Sequence, residues 1–271
     1  MQHIKRWLTA LILVPLVLWL LIRGDSLLTS IMLALVAFFA LREYLKIIFS
    51  GTDESFPNII WIISCCASIL LIASACFASV KLIILSLFLN FLALVVYVLS
   101  RFPAEPALFS VIARQILGII YISLPLSLLI LIRQTEDGIL WIIWLFVVVF
   151  LNDTGAFYTG TFFGKRALAP KISPNKTIEG SLGGIAGAVL AGFILAQFFF
   201  HDFSLSLLTI PCTFLLAVTG QLGDLFESAM KRTSMIKDSG SILPGHGGIL
   251  DRIDGLLPAI PVFYAYLVFI L

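Results

Sequence analysis

Charge is scarce in this 271-residue chain: Asp, Glu, Lys and Arg together make up 12% of it, about half the share of an ordinary soluble domain. Hydrophobic residues make up 61%, and the mean hydropathy is +1.11. A water-soluble interior cannot absorb that surplus, so the soluble class is excluded. Cysteine is scarce as well. Cys65, Cys66, Cys76 and Cys212 lie inside apolar runs with no CxxC or other ligand spacing, which excludes a disulfide scaffold and reads them as packing or lipid-facing residues. No internal repeat, low-complexity tract or long linker occurs, and no GxxxxGK[ST] run supports a Walker phosphate loop. The net charge of +2 and pI near 8.4 give no sign of a nucleic-acid partner. So small a basic surplus is what the cytoplasmic loops of a membrane protein need in any case.

What is abundant is long apolar runs. At roughly 20 residues per crossing, they predict an all-α, polytopic bundle of about nine transmembrane helices: 7–22, 27–41, 59–80, 82–99, 108–132, 139–150, 182–200, 204–220 and 256–271. The first run follows a basic start, but it lacks a small-residue cleavage site and leads straight into the second, so it reads as a retained span. The pair 59–80 and 82–99 is the weakest division, because only Lys81 separates them. With the N-terminus in the cytoplasm, nine spans place fourteen of the 17 Lys and Arg inside and leave Arg23, Lys81 and Arg133 outside, a strong positive-inside bias. Pro15, Pro125 and Pro211 are tolerable kinks in such helices.

Half of the charged residues fall in 151–255, so the chain divides near residue 150. Residues 1–150 are N-terminal transmembrane helices. Residues 151–271 are a second transmembrane region, where the chemistry is expected, carrying two cytoplasmic-side polar segments, 152–181 and 221–255. The later segment packs Asp224, Glu227, Asp238, Asp251 and Asp254 with Lys231, Arg232, Lys237 and Arg252. On a helix, Asp224 and Ser228 share a face, as do Glu227 and Lys231; Asp251 and Asp254 share one at i,i+3 if their helix has begun. Carboxylates this dense beside a membrane repel one another unless a cation intervenes, and Asp, Ser and water oxygens suit Mg²⁺ rather than zinc. Basic side chains beside them suit a polyphosphate, and the Gly-rich turn around His246, Gly247 and Gly248 offers backbone N–H groups to phosphate oxygens. The bland alternative is acids and bases that pair at the headgroup level.

The earlier segment opens on Asp153, a near-membrane acid that serves equally as a metal ligand or as the partner of a lysine. Lys165, Arg166, Lys171 and Lys176 form a basic patch suited to nucleotide phosphates or a lipid headgroup, although topology alone explains some of them. Gly180, Gly183, Gly184 and Gly187 fit tight turns and close helix packing.

These residues resemble a known family, the bacterial phosphatidate cytidylyltransferases (CDP-diglyceride synthases). The resemblance is carried by Ser228-x-Met-Lys-Arg, four residues, Lys237-Asp-x-Gly, then Leu243-Pro-x-His-Gly-Gly-Ile-x-Asp-Arg-Ile-Asp254. Asp153-x-Gly-Ala, Phe163-Gly-Lys, Ser173-Pro-x-Lys-Thr-x-Glu-Gly and Gly223-Asp also look like family blocks. Phe157 and Gly255 depart from the tyrosine and serine common in the family. The resemblance implies cytidylyl transfer from CTP to phosphatidic acid, giving CDP-diacylglycerol and pyrophosphate. It further implies a homodimer in the bacterial inner membrane, with a polar cavity open to cytoplasm and membrane lipid. In the family, the acids matching Asp224 and Asp251 belong to a centre of Mg²⁺ with K⁺ beside it.

The expected catalytic set is therefore Asp224, Asp251, Lys237 and Arg252. Phosphate contacts are expected from Lys165, Lys176, Thr177, Ser228, Lys231, Arg232, His246, Gly247 and Gly248, with Asp153, Glu179, Glu227, Asp238 and Asp254 in support. Two other functions stand beside this one. An enzyme joining CDP-alcohols to a second alcohol also gathers aspartates, but its DGxxAR…GxxxD run is absent. A secondary transporter also has many spans with buried acids, but the charges here are not in matched, inverted halves.

Overall fold

The computed structural model describes residues 19–20, 23–50, 58–102, 108–236, 238–240, 242 and 247–270. The chain forms two compact units, Met1–Gln134 with Thr233–Arg252 and Thr135–Arg232 with Ile253–Leu271. Most of the 7–22 run, together with Lys237 and His246, lies outside the described residues.

In the first unit, α1 (Ser26–Phe49) starts at Asp25, whose carboxyl accepts a hydrogen bond from Leu28 N at 2.7 Å and caps an otherwise unsatisfied first turn. Next come α2 (Asn58–Cys76) and α3 (Val80–Arg101). The doubtful stretch 59–99 is thus two helices, and the break falls at 77–79 rather than at Lys81. Ala78 takes a left-handed φ of 50°, and Ser79 caps α3, its hydroxyl oxygen accepting from Leu82 N. Helix α4 (Leu108–Gly118) passes through a π turn (Ile119–Ser123) into α5 (Leu124–Arg133). Pro125 explains the π turn: it has no N–H to donate and its ring crowds the preceding turn, so the ladder widens just before it. Buried polar pairs join these helices where lipid offers no partner: Gln115 Nε2 donates to Asn90 Oδ1 at 3.0 Å, and the Ser74 and Ser86 hydroxyls meet at 2.8 Å.

In the second unit, α6 (Gly138–Phe163) runs unbroken past residue 150, where hydropathy falls. A helix ladder needs backbone partners rather than apolar side chains. Thr154 and Thr161 return their hydroxyls to the carbonyls of Phe150 and Phe157, both at 2.8 Å. A small antiparallel hairpin, β1 (Ala167–Ala169) and β2 (Ser173–Thr177), pairs Ala167 with Thr177 and Ala169 with Ser173, a minor addition to an α fold. Helix α7 (Ile178–Phe200) follows, then α8 (Phe203–Thr233) and, after the single turn α9 (Leu250–Ile253), most of which belongs to the first unit, α10 (Leu256–Phe269). As the glycine pattern suggests, α6 and α7 pack backbone to backbone: a Cβ added to Gly184 would stand 2.6 Å from Asn152 O and 2.9 Å from Ala156 Cβ. Trp144 fills the space beside them, stacks on Phe263, and donates its indole N–H to Gly192 O at 2.8 Å.

Six helices among the described residues are long and apolar enough to cross a membrane. Large apolar side chains such as Phe88, Phe109, Leu190 and Phe214 face outward. That surface is stable against lipid and not against water, so this is a multi-pass membrane protein.

A buried polar triad ties α6, α7 and α8 together. Gln221 Nε2 donates to Asn152 Oδ1 at 2.9 Å and to Ser181 O at 3.1 Å, while the Ser181 hydroxyl donates back to Gln221 Oε1. Because Asn152 precedes Asp153 and Gln221 lies three residues before Asp224, the triad sets the heights of both acids. Gln221→Leu leaves the remaining groups without their partner and should cost about 1–3 kcal/mol. A lowered thermal midpoint in detergent, at unchanged helix content, is the expected reading.

Candidate active site

In the second unit the acids come together from separate elements. Asp224 lies on α8 with Ser228 one turn further on, and Lys176, at the end of β2, makes an ion pair with Asp224. Asp153, on α6, lies within electrostatic range of both. Asp254, just before α10, completes the group. Burial, then the neighbouring Asp224 charge and, more weakly, Asp153, push its carboxyl up to about 7. Gly223 makes the close approach possible, because a Cβ there would collide with Asp254 O and with Pro258 Cγ. One turn beyond Asp224, the buried Glu227 pairs with Lys231 across i,i+4, the face that spacing predicts.

The raised Asp254 value has a definite sign. Between about 4 and 7 the folded chain keeps a proton that the unfolded chain has released, so stability falls as pH rises through that window and levels off above it. In cation-free detergent buffer the thermal midpoint should decline from pH 5 to pH 8. Asp254→Asn should flatten that decline, and Mg²⁺ added at pH 8 should reverse part of it in the wild-type chain.

The other candidates of this unit are placed as follows. Thr177 caps α7, its hydroxyl oxygen accepting from Gly180 N at 3.1 Å. Glu179 holds a turn: its carboxylate accepts from Lys165 N at 3.0 Å and Arg166 N at 3.1 Å, and it pairs with the Arg166 side chain at 2.9 Å. Lys165 is exposed beside it, ready for an anion. Arg232 donates from Nε to Ile172 O at 3.1 Å, tying the end of α8 to the hairpin connection.

In the first unit Asp251 is held by its own loop. Its Oδ2 accepts from Gly248 N at 2.9 Å and Ser239 N at 3.0 Å, and its Oδ1 from Ser239 N at 3.2 Å. Gly247 has φ +82°, and a Cβ there would lie 2.6 Å from Asp251 Oδ2, so both backbone conformation and space call for glycine. The Gly248 N–H is thereby turned toward Asp251. Asp238 and Arg252 are exposed on the same segment. Charge patterning does not reveal Glu43, which is buried in α1 and accepts from Leu250 N at 2.9 Å and from the Ser239 hydroxyl at 3.1 Å. Its available signal is a lone acid on the apolar stripe Ala40, Glu43, Ile47. Asn152 and Gln221 are likewise missed, because uncharged amides in apolar runs resemble ordinary helix-packing residues.

Among the described residues, no group of three or more His, Cys, Asp or Glu side chains is arranged to hold an ion by itself. One or two carboxylates completed by substrate phosphates and water is the donor set Mg²⁺ ordinarily uses. Asp153, Asp224 and Asp254 supply carboxylate oxygens, and Asp224 already pairs with the ammonium group of Lys176, so the donor types present suit the metal.

Comparison with known proteins adds a family to this chemistry. The model of the cytidylyltransferase family matches residues 4–270. The chain is 47% identical to the phosphatidate cytidylyltransferase of Staphylococcus haemolyticus over 134 residues, 49% of this chain and about half, 51%, of that protein. It is 39% identical to the one of Staphylococcus aureus strain COL over 183 residues, 66% of this chain and 67% of the relative. With that of Staphylococcus epidermidis the identity is 35% over 268 residues, 97% and 98% of the two chains. A match that runs nearly end to end, over helices that carry this set of acids and lysines, means that the chain belongs to the cytidylyltransferase family.

Proposed function

We propose that the chain is a phosphatidate cytidylyltransferase of the bacterial inner membrane, a nucleotidyltransferase of phospholipid synthesis that converts CTP and phosphatidic acid to CDP-diacylglycerol and pyrophosphate. The observation that carries this reading is the Lys176–Asp224 ion pair, with Asp153 and Asp254 in electrostatic range of Asp224, in a chain whose relatives bear that name. Fixed acids and ammonium groups at the edge of a lipid phase suit a reaction between a water-soluble triphosphate and a lipid phosphate. The fourteen-to-three bias of basic residues supports a site open to the cytoplasm.

A phosphate oxygen of the lipid attacks the α-phosphorus of CTP in line. The new O–P bond forms as the bond to the bridging oxygen of the β-phosphate breaks, and that oxygen leaves on pyrophosphate. At neutral pH the lipid phosphate is already largely ionised, since its second pKa is about 6, so no strong base is needed and mutual repulsion is the main barrier. Asp224 and Asp251 would hold Mg²⁺, with K⁺ as a second cation, and the bound metal would supply charge neutralisation. Lys176 moves from its carboxylate partner to a nucleotide phosphate, while Lys165, Lys231, Arg232, Lys237 and Arg252 balance the charge that develops on pyrophosphate. Ser228, His246 and the Gly247 backbone line the phosphates, whereas the Gly248 N–H expected to join them is taken up by Asp251. The working form is a homodimer.

The test is product analysis with the purified protein in detergent. CDP-diacylglycerol and pyrophosphate should appear in equal amounts, only when CTP, phosphatidic acid and Mg²⁺ are all present. CMP release to an alcohol acceptor, or solute flux without CTP turnover, would replace this reading with one of its rivals.

A further inference from the structure

One buried acid has no part in the chemistry above. Glu43 sits in the interior of α1, 3% exposed, on a stripe with the buried Ala40 and Ile47. A carboxyl group so placed costs free energy unless hydrogen bonds offset its desolvation. Its Oε2 receives two, from Leu250 N at 2.9 Å and from the Ser239 hydroxyl at 3.1 Å. Oε1 has no hydrogen-bond partner among the described residues, so the carboxyl is under-satisfied and helix stability alone does not explain it.

The two glycines of the same unit that approach it carry the argument further. A Cβ on Gly240 would strike Glu43 Oε1, and one on Gly248 would strike the Ser239 hydroxyl and Glu43 Oε2. The segment is therefore seated on this carboxyl at four points: Ser239, Gly240, Gly248 and Leu250. Two of those four, Ser239 and Gly248, also donate their backbone N–H groups to Asp251, and Leu250 is its chain neighbour. Ser239 is the joint, bound through its hydroxyl to Glu43 and through its N–H to Asp251.

We infer that Glu43 is a positioning residue for the reaction: it fixes the loop whose backbone N–H groups orient the Asp251 carboxylate. The inference rests on the reading of Asp251 as a cation-holding residue. Groups that orient a metal-binding side chain from behind change metal affinity or rate by about 10–100-fold when they are lost. The critical property of Glu43 is an acceptor oxygen at the reach of a four-atom side chain rather than its charge.

The experiment compares Glu43→Ala, Glu43→Asp and Glu43→Gln in the full-length chain in detergent, reading kcat, KM for CTP, the Mg²⁺ concentration for half-maximal rate, and backbone amide exchange at Gly248 and Leu250. The alanine and aspartate variants should lose about 10–100-fold in kcat and need about tenfold more Mg²⁺, with KM for CTP nearly unchanged and faster amide exchange. Glutamine keeps an acceptor at the same reach and should recover most of both losses. Wild-type kcat and Mg²⁺ dependence in a folded Glu43→Ala protein would overturn the inference, as would a glutamine variant no better than aspartate. Should Glu43→Ala not fold, Ser239→Ala decides: it removes one donor and should lower the rate about fivefold with faster exchange at Gly248, whereas unchanged exchange and Mg²⁺ dependence would overturn the inference. If the wild-type chain makes no CDP-diacylglycerol, the functional reading fails, while the exchange comparison still decides whether Glu43 holds the Asp251 segment.

Discussion

Asp224→Asn should lower CDP-diacylglycerol formation by about 10³-fold or more, since it removes a full charge from the proposed cation site. The same substitution should leave the fold intact. The Lys176–Asp224 pair is partly exposed, with side chains 28% and 37% accessible, and pairs of that kind contribute about 0–1 kcal/mol. Against that small loss stands a gain: Asp254 is held up near 7 in part by the Asp224 charge, so neutralising Asp224 lets Asp254 ionise more easily. The thermal midpoint at pH 8 without Mg²⁺ should therefore hold or rise while activity collapses. Stability and activity moving apart is the pattern of a site whose charges are kept for chemistry. Near-normal turnover in the folded variant would remove Asp224 from the cation site.

Asp251→Asn should produce a loss of similar size, about 10³-fold, for a reason that its hydrogen bonds make separable from structure. Asparagine can place its oxygen where Oδ2 accepts from both Gly248 and Ser239, so the loop keeps its main anchor and loses the charge together with only the longer 3.2 Å contact at Oδ1. Asp251→Ala leaves both N–H groups without that acceptor and should lower stability as well, by about 1–3 kcal/mol. Measuring kcat and thermal midpoint together distinguishes the two: asparagine loses rate alone, alanine loses both. If asparagine retained wild-type rate and Mg²⁺ dependence, Asp251 would be an anchor for its loop and not a cation ligand.

Much of this protein is legible in its sequence because the controlling physics is local. Low charge with long apolar runs specifies membrane helices wherever the residues sit in space, since any backbone crossing lipid must satisfy its own hydrogen bonds. The i,i+4 spacing of Glu227 and Lys231 places them together without reference to the rest of the chain. The signature from Ser228 to Asp254 is contiguous, so it too is visible along one line. Helix ends are less legible. Hydropathy drops after residues 150 and 220, yet α6 continues to Phe163 and α8 to Thr233, because a hydrogen-bond ladder persists through polar residues as long as no proline or unsatisfied turn stops it.

What the sequence by itself determined is the solvent of this protein, the identity of its helices and the stretch in which its charged residues are concentrated. Tertiary structure alone decided which uncharged or isolated groups serve that stretch. Glu43 meets Ser239 and Leu250 across 196 and 207 residues of chain, and Gln221 reaches Asn152 across 69. No periodicity encodes such pairs, because they arise only when packing excludes water and lipid from a polar atom and leaves a distant part of the chain as its one available partner.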